Sequence, residues 1–92
     1  MYVVFRAYGP ARDVIGAKTV ERELPADATV EELLSRLIDE YPELAEWVYD
    51  EGSLSSIVSL TVNGTNVSQR EGVETPLSAG DEVRVAPPIH GG

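Results

Sequence analysis

The sequence has no cysteine, a single lysine (Lys18) and a single histidine (His90). Without cysteine there is no disulfide framework, no thiolate zinc site and no thiol nucleophile. One histidine cannot supply a ligand pair for a metal, and neither a Gly-x-Ser-x-Gly elbow nor a phosphate-cradling loop is present. These absences argue against a self-contained enzyme. Basic residues are scarce as a class: six arginines and Lys18 stand against sixteen acids, a formal charge of −9. Nucleic acid and anionic lipid would repel such a chain. No apolar run approaches the length that spans a bilayer. Met1 leads straight into strand-like residues with no basic and then apolar leader, so the expected location is the cytoplasm. Ninety-two residues hold one small core. Many acids with almost no lysine suggest adaptation to high salt, the alternative being a merely soluble acidic domain.

What is present is orderly. Residues Tyr2 to Tyr8 are rich in aromatic and β-branched side chains and read as a first strand, with Val3, Phe5 and Ala7 on one face. Gly9-Pro10 breaks it, residues 12–16 read as a loop, and Thr19 to Leu24 resumes as a second strand, which suggests a hairpin. Thr29 followed by Glu32 has the form of a capping box. Behind it Val30, Leu33, Leu34, Leu37, Ile38 and Tyr41 make one apolar stripe at helical spacing. Pro42 ends that helix, and residues 43–49 read as a short second helix or turn that returns Leu44, Trp47 and Val48 to the core. An aromatic cofactor box is the sharper reading of Trp47 and Tyr49; core packing is the one preferred.

Residues 53–56 read as a polar loop, 57–62 as a third strand, Asn66-Val67 as a strand stub, 72–80 as a loop and Glu82 to Ala86 as the last strand. Asn63-Gly64 is a strong turn signal. Asn63-Gly64-Thr65 and Asn66-Val67-Ser68 also fit the glycosylation sequon, and are read as turn chemistry. Between Glu31 and Glu51 eight acids accompany one arginine. Their spacing is helical and not that of a calcium loop, so they form a solvated face that also suits a basic partner. One long amphipathic helix beside a four- or five-stranded sheet is an α+β roll.

The last residues change character. Ala86-Pro87-Pro88-Ile89-His90-Gly91-Gly92 leaves the strand, passes through two prolines that cannot donate to a ladder, and ends on two glycines. The prolines favour an extended spacer that sets direction and reach, and Gly91 lets a partner's backbone close around the chain. Residues 1–86 therefore read as the body and 87–92 as a tail. An α-carboxyl has a reference pKa of about 3.5, so that of Gly92 is expected to be ionised at neutral pH. It is then a poor acylating agent, yet it can attack the α-phosphate of ATP, and the acyl-adenylate so formed is a good electrophile for sulfide or a lysine amine. His90 is read as solvent-facing. An inert, frayed end is the plain alternative.

The chain resembles the ubiquitin-like β-grasp proteins of the MoaD/ThiS type, especially the small archaeal modifiers. Phe5-Arg6-Ala7, residues 12–16, Ala28-Thr29-Val30, residues 41–44, Val62-Asn63-Gly64 and residues 77–83 carry the resemblance, with Pro87-Pro88 and Gly91-Gly92 behind them. The resemblance implies a β-grasp roll, a mixed four- to five-stranded sheet packed on one main helix plus a short one. It also implies that a separate ubiquitin-activating-like enzyme adenylates Gly92 with ATP and magnesium, and that the chain binds no cofactor or metal of its own. The acyl group then passes to lysines of target proteins as an isopeptide bond, or becomes a thiocarboxylate that supplies sulfur for molybdopterin, thiamine or tRNA thiolation. Molybdopterin synthase small subunits usually carry a bulky aromatic where this chain has Ala86, and a small residue where it has His90. Losing that anchor argues against tight pairing with a synthase large subunit, so protein modification is the first expectation and sulfur carriage the second. Lys18, the only lysine, is the one side chain through which such a protein could be joined to itself. A β-grasp binding module with an inert tail is the third expectation.

Overall fold

The computed structural model describes residues 1–50, 52–55 and 58–86. Alternation in the first strand, β1 (Tyr2–Ala7), puts Val3, Phe5 and Ala7 inside, each almost fully buried. Strand β2 (Thr19–Glu23) pairs with it antiparallel, Phe5 opposite Val20 and Tyr2 opposite Glu23. The expected hairpin is therefore real, but its connection is not a plain loop. Pro10–Ile15 forms a helix, α1, with proline at its first turn and Gly16 in the left-handed conformation at φ 80°. Proline preset for the first turn and glycine just past the end are helix boundaries, and Ala11 and Ile15, four apart, are both buried.

Helix α2 spans Val30–Glu40 and buries Val30, Leu33, Leu34 and Leu37, with Ile38 and Tyr41 packed partly against the same core. Each large aliphatic chain removed from water contributes roughly 1.5–3 kcal/mol before entropy is subtracted. The capping box does not form. Thr29 is the N-cap in extended geometry but its side chain makes no cap hydrogen bond. Glu32 is engaged elsewhere, its Oε1 accepting from Arg36 Nε at 3.3 Å and Nη2 at 3.2 Å one turn on. One orphan donor of the first turn is met by the chain instead: Val30 N–H donates to the Thr75 carbonyl at 3.0 Å, next to a Leu77 N–H that reaches the Ala28 carbonyl at 3.0 Å.

A 3₁₀ turn at Pro42–Leu44 runs into the short helix α3, Ala45–Val48. Leu44 and Val48 are fully buried, but Trp47 is 38% exposed, so its expected return to the core is corrected. Four residues of helix present only one face, and positions 44 and 48 take it. Tyr49 is half-buried against the core. The segment read as a polar loop begins instead with strand structure: β3 (Tyr49–Asp50) pairs antiparallel with β4 (Ser53–Leu54) around Gly52 at φ 85°. Strand β5 is Ser59–Val62, shorter than the expected 57–62; Ile57 lies outside the described residues.

Asn63 and Gly64 take φ 50° and 89°, and β5 turns into β6 (Thr65–Asn66). Val67 is not part of that strand. It opens a 3₁₀ turn, Val67–Gln69, that Asn66 caps by accepting from Ser68 N–H at 2.8 Å. Both sequon asparagines thus serve turns. The loop at 72–80 contains a further 3₁₀ turn, Gly72–Glu74, and the fully buried Thr75. The last strand, β7 (Glu82–Ala86), runs parallel to β1 and antiparallel to β5. The main sheet has the order β2-β1-β7-β5-β6. Its inner rows meet α2 across Val3, Phe5, Leu60, Val62, Val83 and Val85. A mixed five-stranded sheet, with first and last strands parallel at its centre and one long helix across one face, is the ubiquitin-like β-grasp roll.

Candidate functional site

The strand that leads to the tail is the middle strand of the sheet. Its inward residues Val83 and Val85 are buried, and β1 and β5 hold it from either side. Phe5 faces Val83, Ala7 faces Val85, and Tyr8 N–H donates to the Val85 carbonyl at 3.1 Å. On the other side Leu60 faces Val85 and Ser59 faces Ala86. The strand is thus anchored through its last turn of pleat before residue 87. Its start is fixed as well. Asn63 Nδ2 donates to Asp81 Oδ1 at 2.9 Å, Glu82 N–H donates to Asn63 Oδ1 at 2.9 Å, and Ser78 N–H donates to Asp81 Oδ2 at 2.8 Å.

The outward residues of the same strands share the opposite face. Register aligns Val4 with Glu82, Arg6 with Arg84, Thr61 with Arg84, and Ser59 with Ala86. A shallow hollow lies there, lined by Tyr8, Ser59, Thr61, Gly64, Arg84 and Ala86. Glu82 sits between two guanidinium groups: its Oε1 accepts from Arg84 Nε at 2.7 Å, and its Oε2 lies 3.0 Å from Arg6 Nε. That second approach is not aligned as a hydrogen bond, and Arg6 Nε is buried without one. The Glu82 hydrogen bond, and after it the Glu82 charge and that of Tyr8, raise the Arg84 guanidinium above its already high value. Two arginines and one glutamate leave this patch net positive on a chain of charge −9.

No nucleophile and base are paired here. What the patch offers is a guanidinium, a phenol and two hydroxyls at the root of the last strand, the chemistry of docking. Gly92, Gly91, Pro87, Pro88 and His90 lie outside the described residues. Lys18 is exposed in the bend between α1 and β2, and its carbonyl accepts from Ala7 N–H at 2.9 Å. The acids of α2 border another hollow, lined by Glu31, Glu32, Ser35, Asp39 and Tyr49 among others. Burial, and then the Glu31 charge, push the Tyr49 phenol upwards. Among the described residues no group of acids or histidines converges closely enough to hold a metal ion, and no helix is long and apolar enough to cross a membrane.

Sequence reasoning did not single out Tyr8, Arg6, Glu82 or Arg84. Alternation in β1 and β7 places all of them off the core face, but only the register between two strands nearly eighty residues apart brings Glu82 between the arginines.

Comparison with known proteins agrees with this arrangement. The pattern of the ThiS family matches residues 6–92. The chain belongs to the ThiS family. Small archaeal modifier protein 3 of Haloferax volcanii is 35% identical over 92 residues, covering 100% of both chains. The crystal structure of small archaeal modifier protein 1 from the same organism superimposes with a TM-score of 0.85 at 27% identity, again over 100% of both chains. A Pyrococcus furiosus protein, provisionally described as subunit 1 of a molybdopterin converting factor, matches with a TM-score of 0.79 at 29% identity, over 97% of this chain and 99% of its own. The relatives of this ThiS-family chain are thus small modifier and carrier proteins of the same fold, and the match reaches through the last strand into residues 87–92.

Proposed function

We propose that this chain is a ubiquitin-like protein modifier whose Gly92 carboxylate is adenylated by a separate ubiquitin-activating-like enzyme, with ATP and magnesium, and then joined to lysines of target proteins. One observation carries the reading: the strand preceding residue 87 is the central strand of the sheet, clamped by β1 and β5 up to Ala86. A tail rooted there starts from a rigid body, so its position relative to a docked enzyme is defined and little ordering entropy remains to be lost on binding. The enzyme docks on the outer sheet face, where Arg6, Glu82, Arg84 and Tyr8 adjoin that root. Adenylation joins a carboxylate oxygen to the α-phosphate and releases pyrophosphate. Attack by a lysine amine then forms the amide and releases AMP and a proton. No residue of this chain acts as catalyst in either step.

Sulfur carriage is the second reading, favoured by the family match and by the molybdopterin-type relative. It shares the adenylate and replaces the amine by sulfide, giving a thiocarboxylate; in that case a molybdopterin synthase large subunit or a tRNA-thiolating enzyme would be the next partner. One experiment separates the two. The chain, tagged at its N-terminus and expressed in its own host, is blotted under reducing denaturation. A ladder that survives thiol and disappears when Gly91 and Gly92 are deleted supports modification. No ladder, with intact mass showing one oxygen exchanged for sulfur, supports carriage and overturns the first reading.

A further inference from the structure

An acyl-adenylate is consumed by an amine, and this chain has two kinds: the α-amino group of Met1 and the side chain of Lys18. The structure treats them differently. The Met1 ammonium donates to the Leu24 carbonyl at 2.7 Å in a partly buried position, where Leu24 N–H returns a bond to the Met1 carbonyl, also at 2.7 Å. Withdrawing that amine for attack breaks the bond that closes the start of β1 onto the end of β2. Lys18 carries no such restraint. It is exposed, it stands outside any strand just after the left-handed Gly16, and its side chain has no ion pair among the described residues.

The position of Lys18 matters as much as its freedom. Its carbonyl is bonded to Ala7 N–H, and the next residue, Tyr8, is bonded to the Val85 carbonyl. Lys18 and the root of the tail therefore stand at one end of the sheet, two strand spacings or about 10 Å apart. That end already has to stay open for residues 87–92 to reach another protein. An amine on it meets an incoming acyl group without any rearrangement of the body.

We propose that Lys18 is the acceptor through which one copy of this chain is acylated by the Gly92 carboxyl of a second copy. The inference rests on the modifier reading above and deepens it by naming the acceptor. The Lys18 nitrogen attacks the acyl carbon of the second copy's adenylate, the C–N bond forms, the C–O bond to phosphate breaks, and AMP and a proton leave. A single copy closing on itself is disfavoured, because two consecutive prolines oppose a sharp reversal of the chain.

Trypsin makes the test direct. Cleavage after Arg12 and Arg22 releases residues 13–22 with Lys18 inside, and cleavage after Arg84 releases residues 85–92. The chain is isolated from its host, separated by mass under reducing denaturation, and digested. The expected result is a branched peptide joining 13–22 to 85–92 through Lys18, found at twice the monomer mass, and its complete loss in Lys18→Arg. Adducts on other proteins persist in that variant, and its unchanged melting temperature shows that it folds. A dimer that survives Lys18→Arg, a branch at Met1, or a branched peptide confined to monomer mass each overturns the proposal. Adducts on other proteins with no self-adduct in the unaltered chain also overturn it while leaving the modifier reading intact. An absence of adducts of any kind removes both.

Discussion

Arg22 and Glu40 are joined by two hydrogen bonds of 2.7 Å each, Nε to Oε2 and Nη2 to Oε1. They tie the edge strand β2 to the last turn of α2. The Arg22 hydrogen bond, and after it the Arg22 charge, hold the Glu40 carboxyl below the usual carboxylate range, and the same bond raises Arg22. A carboxylate at a helix C-terminus faces the negative end of the macrodipole, so Arg22 also offsets an unfavourable placement.

The pH dependence follows from that pair. Glu40 titrates lower in the folded chain than in the unfolded one, so its contribution is present above the unfolded pKa of about 4.3 and is lost as pH falls through the folded value. The pair is largely exposed, and solvent screening limits its coupling to roughly 0.5–1 kcal/mol. A double-mutant cycle of Arg22→Ala and Glu40→Ala, measured by urea denaturation, is expected to show that coupling at pH 7 and to lose it near pH 3.

Thr75 is fully buried and polar. Its hydroxyl donates to the Gly72 carbonyl at 2.7 Å and accepts from Glu71 N–H at 3.2 Å, closing the turn whose Thr75 carbonyl receives Val30 N–H. Thr75→Val keeps the shape but strips both partners of a bond in a place water does not reach. The expected cost is about 1–3 kcal/mol, read as a lower urea midpoint with unchanged slope.

Charge predicts a salt response. Sixteen acids and seven bases repel one another in dilute buffer, and the screening length shrinks from about 8 Å at 0.15 M to about 3 Å at 1 M salt. Raising potassium chloride from 0.05 to 2 M is expected to increase the melting temperature by roughly 5–10 °C, the equivalent of about 1–2 kcal/mol for a domain of this size. A chain no less stable in dilute buffer would remove the inference of high-salt adaptation.

Arg84 is exposed beside the root of the tail and reaches Glu82 only across the surface. Arg84→Glu reverses the sign of that patch with little consequence for folding. With the activating enzyme it is expected to raise the KM for this chain about tenfold, close to 1.4 kcal/mol, while kcat stays constant. A fall in kcat alone would place Arg84 outside the docking surface.

Much of the body could be read from local pattern. Period-two burial in β1, period-3.6 burial in α2 and the Asn63-Gly64 turn each depend on residues within a few positions of one another. Helix α1 was hidden because six residues carry too few turns for a period, although Pro10 and Gly16 marked its ends. Trp47 defied expectation since a four-residue helix has one inward face and Leu44 and Val48 fill it. The capping box failed for a reason no short pattern holds: Arg36 takes Glu32, and Thr75, more than forty residues away, supplies the acceptor. The docking patch is non-local in the same way, since it depends on the register of β1 against β7. The reacting carboxyl is the reverse case, legible only in the sequence, since residues 87–92 lie outside the described structure.

The most direct measurement is ATP–pyrophosphate exchange, catalysed by the activating enzyme from the chain's own host. With the unaltered chain, exchange is expected to require the chain and magnesium, and intact mass is expected to show AMP carried at Gly92. Deleting Gly91 and Gly92 should abolish both while the melting temperature holds. Exchange that proceeds equally well without those glycines, or a Gly92 carboxyl left unchanged by enzyme and ATP, would contradict the idea that this body exists to present its last carboxylate to another protein's active site.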